Sequence, residues 1–224
     1  MLASFDLVCC KDLLHVLHQG VASCVIPAMI TDHLEQKHPG ITLKELGETL
    51  GGPVWLHYKA WCRAEGRASC GHRFTLQRFG REKWNVRPEL GSAYKASVVR
   101  DMSLWLDAYL LDERGSSPGS DLRCFCAHSL ACFQVCCDEN PQFFDPKVAK
   151  RTSGHLRTFL LLYQKLAVAD RARTDQRMNF KLVPKFHCLL HLGDYILETR
   201  RNPRLLRDMW QAFLYVCRSF FLLA

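Results

Sequence analysis

The stretch DPKVAKRTSGHLRTFLLLYQKLAVA, residues 145–169, decides the fold class of this chain. Asp145 is a favourable N-cap, and Pro146 follows it at the first helical position, where proline is well tolerated. The apolar residues behind them recur at helical spacing: Leu156, Phe159, Leu160, Tyr163 and Leu166. The pattern predicts a long amphipathic helix with one buried side.

Helical patterns also dominate on both sides of this stretch. The other segments expected to be helical are 12–34, 53–64, 98–113, 121–137 and 184–198. We expect Pro27 to kink or divide the first of them. Thr42 and Glu45 form a capping-box pattern, which opens a short helix that should end at Gly51 and Gly52. The only strand candidates are 2–8 and 180–183. The prediction is a mainly α protein, an irregular multi-helix domain with a few short strands.

One segment reads as a linker. Residues 114–120 are small, polar and rich in glycine, serine and proline. This predicts an N-terminal helical part, residues 1–113, and a basic C-terminal helical part, residues 121–224. The alternative is one compact domain overall.

Membrane and export signals are not evident. No apolar run reaches the roughly 20 residues that span a bilayer, and charged residues interrupt the first thirty positions. The 12 cysteines are therefore expected to be reduced thiols. We expect a soluble intracellular protein, nuclear or cytoplasmic, without a membrane partner.

The positive charge is concentrated in one part of the chain. Residues 147–207 contain 14 lysines and arginines against 4 aspartates and glutamates, a net of +10, whereas residues 1–146 contain 15 against 17. Such a block favours a polyanion such as DNA, although it also fits a merely solvated helix face. The residues expected to contact nucleic acid are Lys147, Lys150, Arg151, Arg157, Arg171, Arg173, Arg177, Lys181 and Lys185.

Two residue pairs, each containing histidine, are candidates for metal binding. His187 and His191 are spaced so that two imidazoles on one helical turn can bind a divalent ion, or simply be half-buried and hydrogen-bonded. Cys188 stands where a zinc-protease helix carries glutamate, which argues against hydrolysis. Asp12 and His15 share a face, and Asp12 suits magnesium or a plain N-cap. The possible cofactors are Mg²⁺ or Zn²⁺.

A cysteine-rich stripe is the other chemical candidate. Cys124, His128, Cys132 and Cys136 recur every four residues, with Cys126 and Cys137 beside them. Adjacent members could share a soft metal, but one straight helix cannot surround a tetrahedral zinc. A stripe of packed thiols is favoured, and a structural zinc site is the alternative.

Two segments resemble transposon-encoded proteins of unicellular eukaryotes. The segment from Asp12 through His15 and Gly20 to Val21 is similar to their D-x-x-H-x-x-x-x-G-[VI] motif. The segment from Pro184 to His191, with Asn202-Pro203 after it, is similar to their P-K-x-H-x-x-x-H motif. The resemblance spans most of the chain.

The resemblance implies DNA handling in a nucleus. Asp12 would be the metal carboxylate, with His187 and His191 beside the nucleic acid or the metal. It also implies the alternative fold, an α+β fragment of a ribonuclease-H-like core. The acidic segment that follows Asn-Pro in these proteins is replaced by a largely apolar tail with only Asp208.

The functional prediction is therefore a transposon-derived, nucleic-acid-associated protein that is catalytically incomplete. Any surviving enzyme activity would be metal-dependent DNA phosphoryl transfer. The alternative is a non-enzymatic helical protein-interaction module, which self-associates through the apolar C-terminal helix. The aromatic residues of that helix are Trp210, Phe213, Phe220 and Phe221.

Overall fold

A computed structural model describes residues 13–175 and 177–205, with the side chains of Leu14 and Leu205 left aside. The described part forms six helical segments, which confirms the mainly α prediction. Helix α1 combines a π-helical part, Leu14–Ala22, with an α-helical part, Ser23–Lys37. Helix α2 joins Leu43–Thr49 to Trp55–Ala64 through a π-helical turn, Leu50–Val54. The others are α3, Ala96–Asp112; α4, Ser120–Glu139; α5, Pro146–Arg171; and α6, Pro184–Thr199.

The expected short strand at 180–183 is wrong, because this segment is irregular backbone. Side chains satisfy the backbone groups of Phe180 that a neighbouring strand would otherwise pair. The Asp170 carboxylate accepts from the Phe180 N–H at 3.0 Å, and Arg87 Nε donates to the Phe180 carbonyl at 3.1 Å. The other strand candidate, 2–8, lies outside the described residues.

The alternative of an α+β ribonuclease-H-like fragment is not supported either. Such a core needs a sheet, and within residues 13–175 and 177–205 the backbone forms only an isolated bridge between Phe143 and Arg201. Helices supply the packing layers instead.

Pro27 lies inside α1 and does not divide it. A proline in a helix lacks the N–H that would bond the carbonyl four residues earlier, here that of Ser23. The Leu90 N–H donates to the Ser23 carbonyl at 2.8 Å and replaces the missing bond. A long-range contact therefore lets the helix continue.

Helix α2 begins and ends as predicted, but it is continuous where two separate helices were expected. The capping box is confirmed, because Thr42 Oγ1 accepts from the Glu45 N–H and the Glu45 carboxylate accepts from the Thr42 N–H. The glycines at 51–52 do not end the helix, since the π-helical turn carries it past Pro53. A Cβ at Gly51 would lie 3.1 Å from the Phe74 carbonyl oxygen, so glycine here allows close approach of the following loop.

A single apolar core includes residues from before and after the 114–120 segment, in which residues 114–119 form a surface turn and Ser120 begins α4. Helix α5 packs against both α4 and α6, and α3 packs against α4. Trp105 of α3 is fully buried, and the rings of Tyr163 and Phe186 join α5 to α6 with centroids 4.6 Å apart. Among the described helices, none has the length and apolar character needed to span a bilayer.

Candidate nucleic-acid interface

Helix α5 presents a row of basic side chains to solvent. Its N-cap is confirmed, because the Asp145 carboxylate accepts from the backbone N–H groups of residues 147 and 148 at 2.8 and 3.0 Å. At 100° per residue, five exposed residues fall within an arc of about 120° and span about 27 Å along the axis. They are Lys147, Lys150, Arg151, Arg157 and Lys165, and we call them the α5 basic surface.

Acidic side chains are scarce on this side of α5. The acidic residue of the helix itself, Asp170, is buried and accepts from the backbone N–H groups of Asn179 and Phe180. Asp194 of α6 pairs with Arg157 at 2.5 Å, with both side chains nearly half exposed. Within the described residues, the other four members of the α5 basic surface form no ion pair.

Two further arginines extend this surface at its ends. Arg171 is exposed in the last turn of α5, where a cation is favoured by the helix dipole. Arg200 follows α6 in a left-handed conformation, and its carbonyl accepts from the Phe144 N–H at 2.7 Å. This bond places Arg200 beside the start of α5. The sequence prediction omitted Arg200, although the Arg200-Arg201 pair after α6 was a visible signal.

Arg173 and Arg177 lie away from the α5 basic surface. Arg173 donates to Asp32 at 3.2 Å and to Glu35 at 3.0 Å, both on α1. Arg177 stacks over the ring of Trp84, with its guanidinium carbon 4.1 Å from the ring centroid. Both guanidinium groups interact with other residues of the chain, so neither arginine belongs to the proposed interface.

The two predicted lysines before and in α6 also have intramolecular partners. Lys181 pairs with Glu89 at 2.9 Å. Lys185 donates from Nζ to the His15 carbonyl at 3.2 Å, and its aliphatic stem covers Gly20. A Cβ at Gly20 would lie 2.2 Å from Cδ of Lys185, so the close approach requires glycine or a shifted lysine.

Three arginines belong to a buried ionic cluster, which we call the Arg81 network. Arg81 is fully buried; its guanidinium donates to Glu35 at 2.8 Å and to Asn179 at 2.7 Å. Arg123 donates to Asp32 at 2.7 Å. The members are Arg81, Arg123, Arg173, Asp32, Glu35 and Asn179.

Burial dominates the electrostatics of this network. Burial raises the pKa of the Asp32 carboxyl, and the charge of Arg123 opposes that rise. Burial also lowers the pKa of Arg81, while its bond to Glu35 opposes the change. No local sequence pattern indicates this cluster, because its members come from four separate segments of the chain.

The two histidines predicted to bind a metal ion lie next to each other on α6. Nε2 of His187 and Nε2 of His191 lie 2.9 Å apart on α6. His15 lies on the neighbouring α1, and the predicted carboxylate ligand Asp12 lies outside the described residues. Within the part of the chain that is described, no group of three or more metal-ligating side chains occurs. The Mg²⁺ or Zn²⁺ site stays a prediction.

The cysteine-rich stripe on α4 is mostly buried. Nine cysteines lie in the described part, and all nine are free thiols there. Cys124, Cys126, Cys136 and Cys137 are buried, whereas Cys132 is partly exposed. Burial raises the pKa of Cys126 and Cys137 well above the usual thiol value. These buried thiols behave as small apolar side chains.

Comparison with protein-family models, with curated proteins and with solved structures found no match. The aromatic residues of the C-terminal tail, on which the prediction of self-association rests, lie outside the described residues.

Proposed function

We propose that this chain is a transposon-derived protein that associates with DNA through the α5 basic surface and lacks a complete cleavage site of its own. The observation that carries the proposal is the row of five basic side chains on one side of one helix, with Asp194 as the acidic partner of a single member.

The physical basis is counterion release. Duplex DNA holds condensed cations, and each phosphate neutralised by a lysine or arginine releases close to one of them. Five contacts correspond to a slope of about −4.5 in a plot of log affinity against log salt concentration. Arg200 and Arg171 would steepen the slope if the duplex reached both ends of α5.

The contact between the two motif-bearing segments supports the transposon-derived part of the proposal. Lys185, from the second motif, lies across Gly20 and donates to the carbonyl of His15, both from the first motif. One residue of the second motif therefore contacts two of the first, where α6 packs against α1.

The test is fluorescence anisotropy of a labelled duplex titrated with the full chain over a salt series. We expect binding whose affinity falls by about 500-fold between about 50 and about 200 mM salt. The four unpaired members of the α5 basic surface are then replaced together: Lys147→Gln, Lys150→Gln, Arg151→Gln and Lys165→Gln. The slope should fall to about −1, which is a loss of only about fourfold over the same range.

A matched control removes four exposed lysines elsewhere: Lys44→Gln, Lys59→Gln, Lys83→Gln and Lys95→Gln. The net charge changes equally in both variants, so only the position of the charge differs. Equal losses in the two variants would show that α5 is not the interface. Absence of binding at low salt would overturn the DNA proposal itself.

Exposed apolar residues on the same side of α5 support one other candidate function, the helical protein-interaction module. Leu161 and Val168 are 60% and 59% exposed and lie two turns apart on that side. Failure of DNA binding, together with concentration-dependent sedimentation that Leu161→Gln reduces, would select this alternative.

A further inference from the structure

Three polar side chains of α3 and α4 form a continuous chain of contacts on the surface. Nδ1 of His128 lies 3.0 Å from Oδ2 of Asp107, and Nε2 of the same ring lies 3.3 Å from Sγ of Cys132. His128 is 58% exposed, and Cys132 is partly exposed, so reagents from solvent can reach the thiol.

The local fold explains this arrangement. His128 and Cys132 are four residues apart on α4 and therefore lie one above the other on the same face. Helix α3 packs beside α4 and brings Asp107 to the opposite edge of the imidazole ring. Two helices are thus enough to align all three groups.

The contacts define which nitrogen can accept a proton. A carboxylate is only an acceptor, so Asp107 favours the tautomer of His128 with hydrogen on Nδ1. The lone pair of Nε2 then points to the thiol. A nucleophile in reach of a base that is itself oriented by a third group is the arrangement used in nucleophilic catalysis.

Charged and titratable groups from three helices face the thiol. They are Asp107 from α3; His128 and Cys136 from α4; and Arg151 from α5. Burial, followed by the charge of Asp107, raises the pKa of the Cys132 thiol, whereas Arg151 opposes the rise. The thiol is therefore protonated at rest and needs a base in order to react.

We propose that Cys132 is the nucleophile of a thiol–disulfide exchange site, with His128 as its base, Asp107 as the residue that orients the imidazole, and a small disulfide as the substrate class. The inference does not rest on the proposed DNA binding, although Arg151 belongs to the α5 basic surface and also lies near the thiol.

The step balances without a further reagent. The S–H proton of Cys132 passes to Nε2 of His128 as the sulfur attacks one sulfur of the disulfide. The new S–S bond forms while the original S–S bond breaks, and the departing thiolate takes the proton back from Nε2. The products are a mixed disulfide on Cys132 and one free thiol.

The first test compares cysteines within the unmodified chain. The full protein is treated with glutathione disulfide or with the carboxylated aromatic disulfide DTNB, and modification of each cysteine is followed by peptide mass spectrometry. Cys188 is also partly exposed and serves as the internal comparison. We expect Cys132 to react at least about a hundredfold faster at neutral pH, the lower end of the range for general-base assistance.

Substitutions then separate base assistance from simple exposure. His128→Gln should slow Cys132 by about a hundredfold or more and leave Cys188 unchanged. His155→Gln is the matched control, because that histidine also lies near Arg151 but does not contact the thiol, and the rate should not change. His155→Gln should keep the pH profile of the unmodified chain, whereas in His128→Gln the rate should rise only with the ionisation of the thiol.

Asp107→Asn decides between an orienting and a purely electrostatic role. If Asp107 orients the imidazole, its removal slows Cys132. If it acts only through its charge, its removal favours the thiolate and speeds Cys132. A faster Asp107→Asn variant, an unchanged His128→Gln variant, or equal rates at Cys132 and Cys188 would each overturn the proposal.

Discussion

The Arg81 network and the α5 basic surface place the same kinds of side chain in opposite environments. Arg81 and Arg123 are buried and bonded to Glu35 and Asp32 of α1. Lys147 and its neighbours on α5 are exposed, and most have no acidic partner within the described residues. The Arg81 network contains three arginines and two carboxylates, so its burial leaves most of the formal charge of +8 on the rest of the chain.

The comparison shows which charged side chains stabilise the fold and which are available to bind a partner. A buried ion pair is not necessarily better than apolar packing, but removal of one partner leaves a charge without water or counter-charge. An exposed charge gains little from a nearby partner, and salt screens that gain. Three measurements can break or sharpen the contrast.

The largest effect is expected from Arg81→Met. The substitution leaves Glu35 without its fully buried partner and removes the donor to the carbonyls of Trp84, Val86 and Met178. We expect the free energy of unfolding to fall by about 3–5 kcal/mol. Urea denaturation followed by circular dichroism measures the change.

The control for this measurement is Arg171→Met. Arg171 is exposed at the end of α5, and its loss should change the free energy of unfolding by less than about 0.5 kcal/mol. Similar losses in the two variants would mean that the Arg81 network does not stabilise the fold more than a surface arginine does.

A somewhat smaller effect is expected from the pH dependence of stability at His33. This residue of α1 is 1% exposed, and burial, followed by the charge of Arg123, lowers its pKa from 6.5 to about 4. In the unfolded chain His33 therefore binds a proton below about pH 6.5, whereas in the folded chain it binds that proton only below about pH 4. Stability should fall with decreasing pH across that window, by on the order of 3 kcal/mol.

His33→Gln removes this contribution. The difference in unfolding free energy between the unmodified chain and the variant should shrink as the pH is lowered through the same window. His38→Gln is the control, because His38 is exposed at the end of the same helix. Parallel curves for the unmodified chain and His33→Gln would contradict the expectation.

The smallest effect is expected for the exposed pair between Arg157 and Asp194. A double-mutant cycle with Arg157→Gln and Asp194→Asn should give a coupling of about 0.2–1 kcal/mol, because both side chains are nearly half exposed. High salt should reduce it. A coupling above about 2 kcal/mol would place this pair with the buried network and remove the contrast.

Local signals were sufficient for most of the helices. Asp145 and Pro146 start α5, Thr42 and Glu45 form the capping box, and Pro184 starts α6. Each depends on bonds within a few residues, so the sequence pattern contains the necessary information. The sequence pattern did not predict the effect of contacts between distant residues. At Pro27, the Leu90 N–H bonds the free carbonyl of Ser23, and this bond joins residues far apart in sequence.

In the candidate sites, too, some features could be predicted from the sequence and others depend on tertiary packing. The four-residue spacing of His128 and Cys132 was visible in the sequence, but the position of Asp107 opposite the ring depends on how α3 packs against α4. The basic composition of residues 147–207 was equally visible. Its division into exposed lysines on α5 and arginines such as Arg173 inside the Arg81 network was not.

The sequence by itself determined the helical class, the starts of the helices and the basic character of the last third, because periodicity, capping and composition act over short distances along the chain. Only the tertiary structure decided which charges are neutralised and which side chains meet, because those outcomes depend on packing between helices that are distant in sequence. Charge can be counted from residues alone, whereas its availability to a partner is a property of the folded surface.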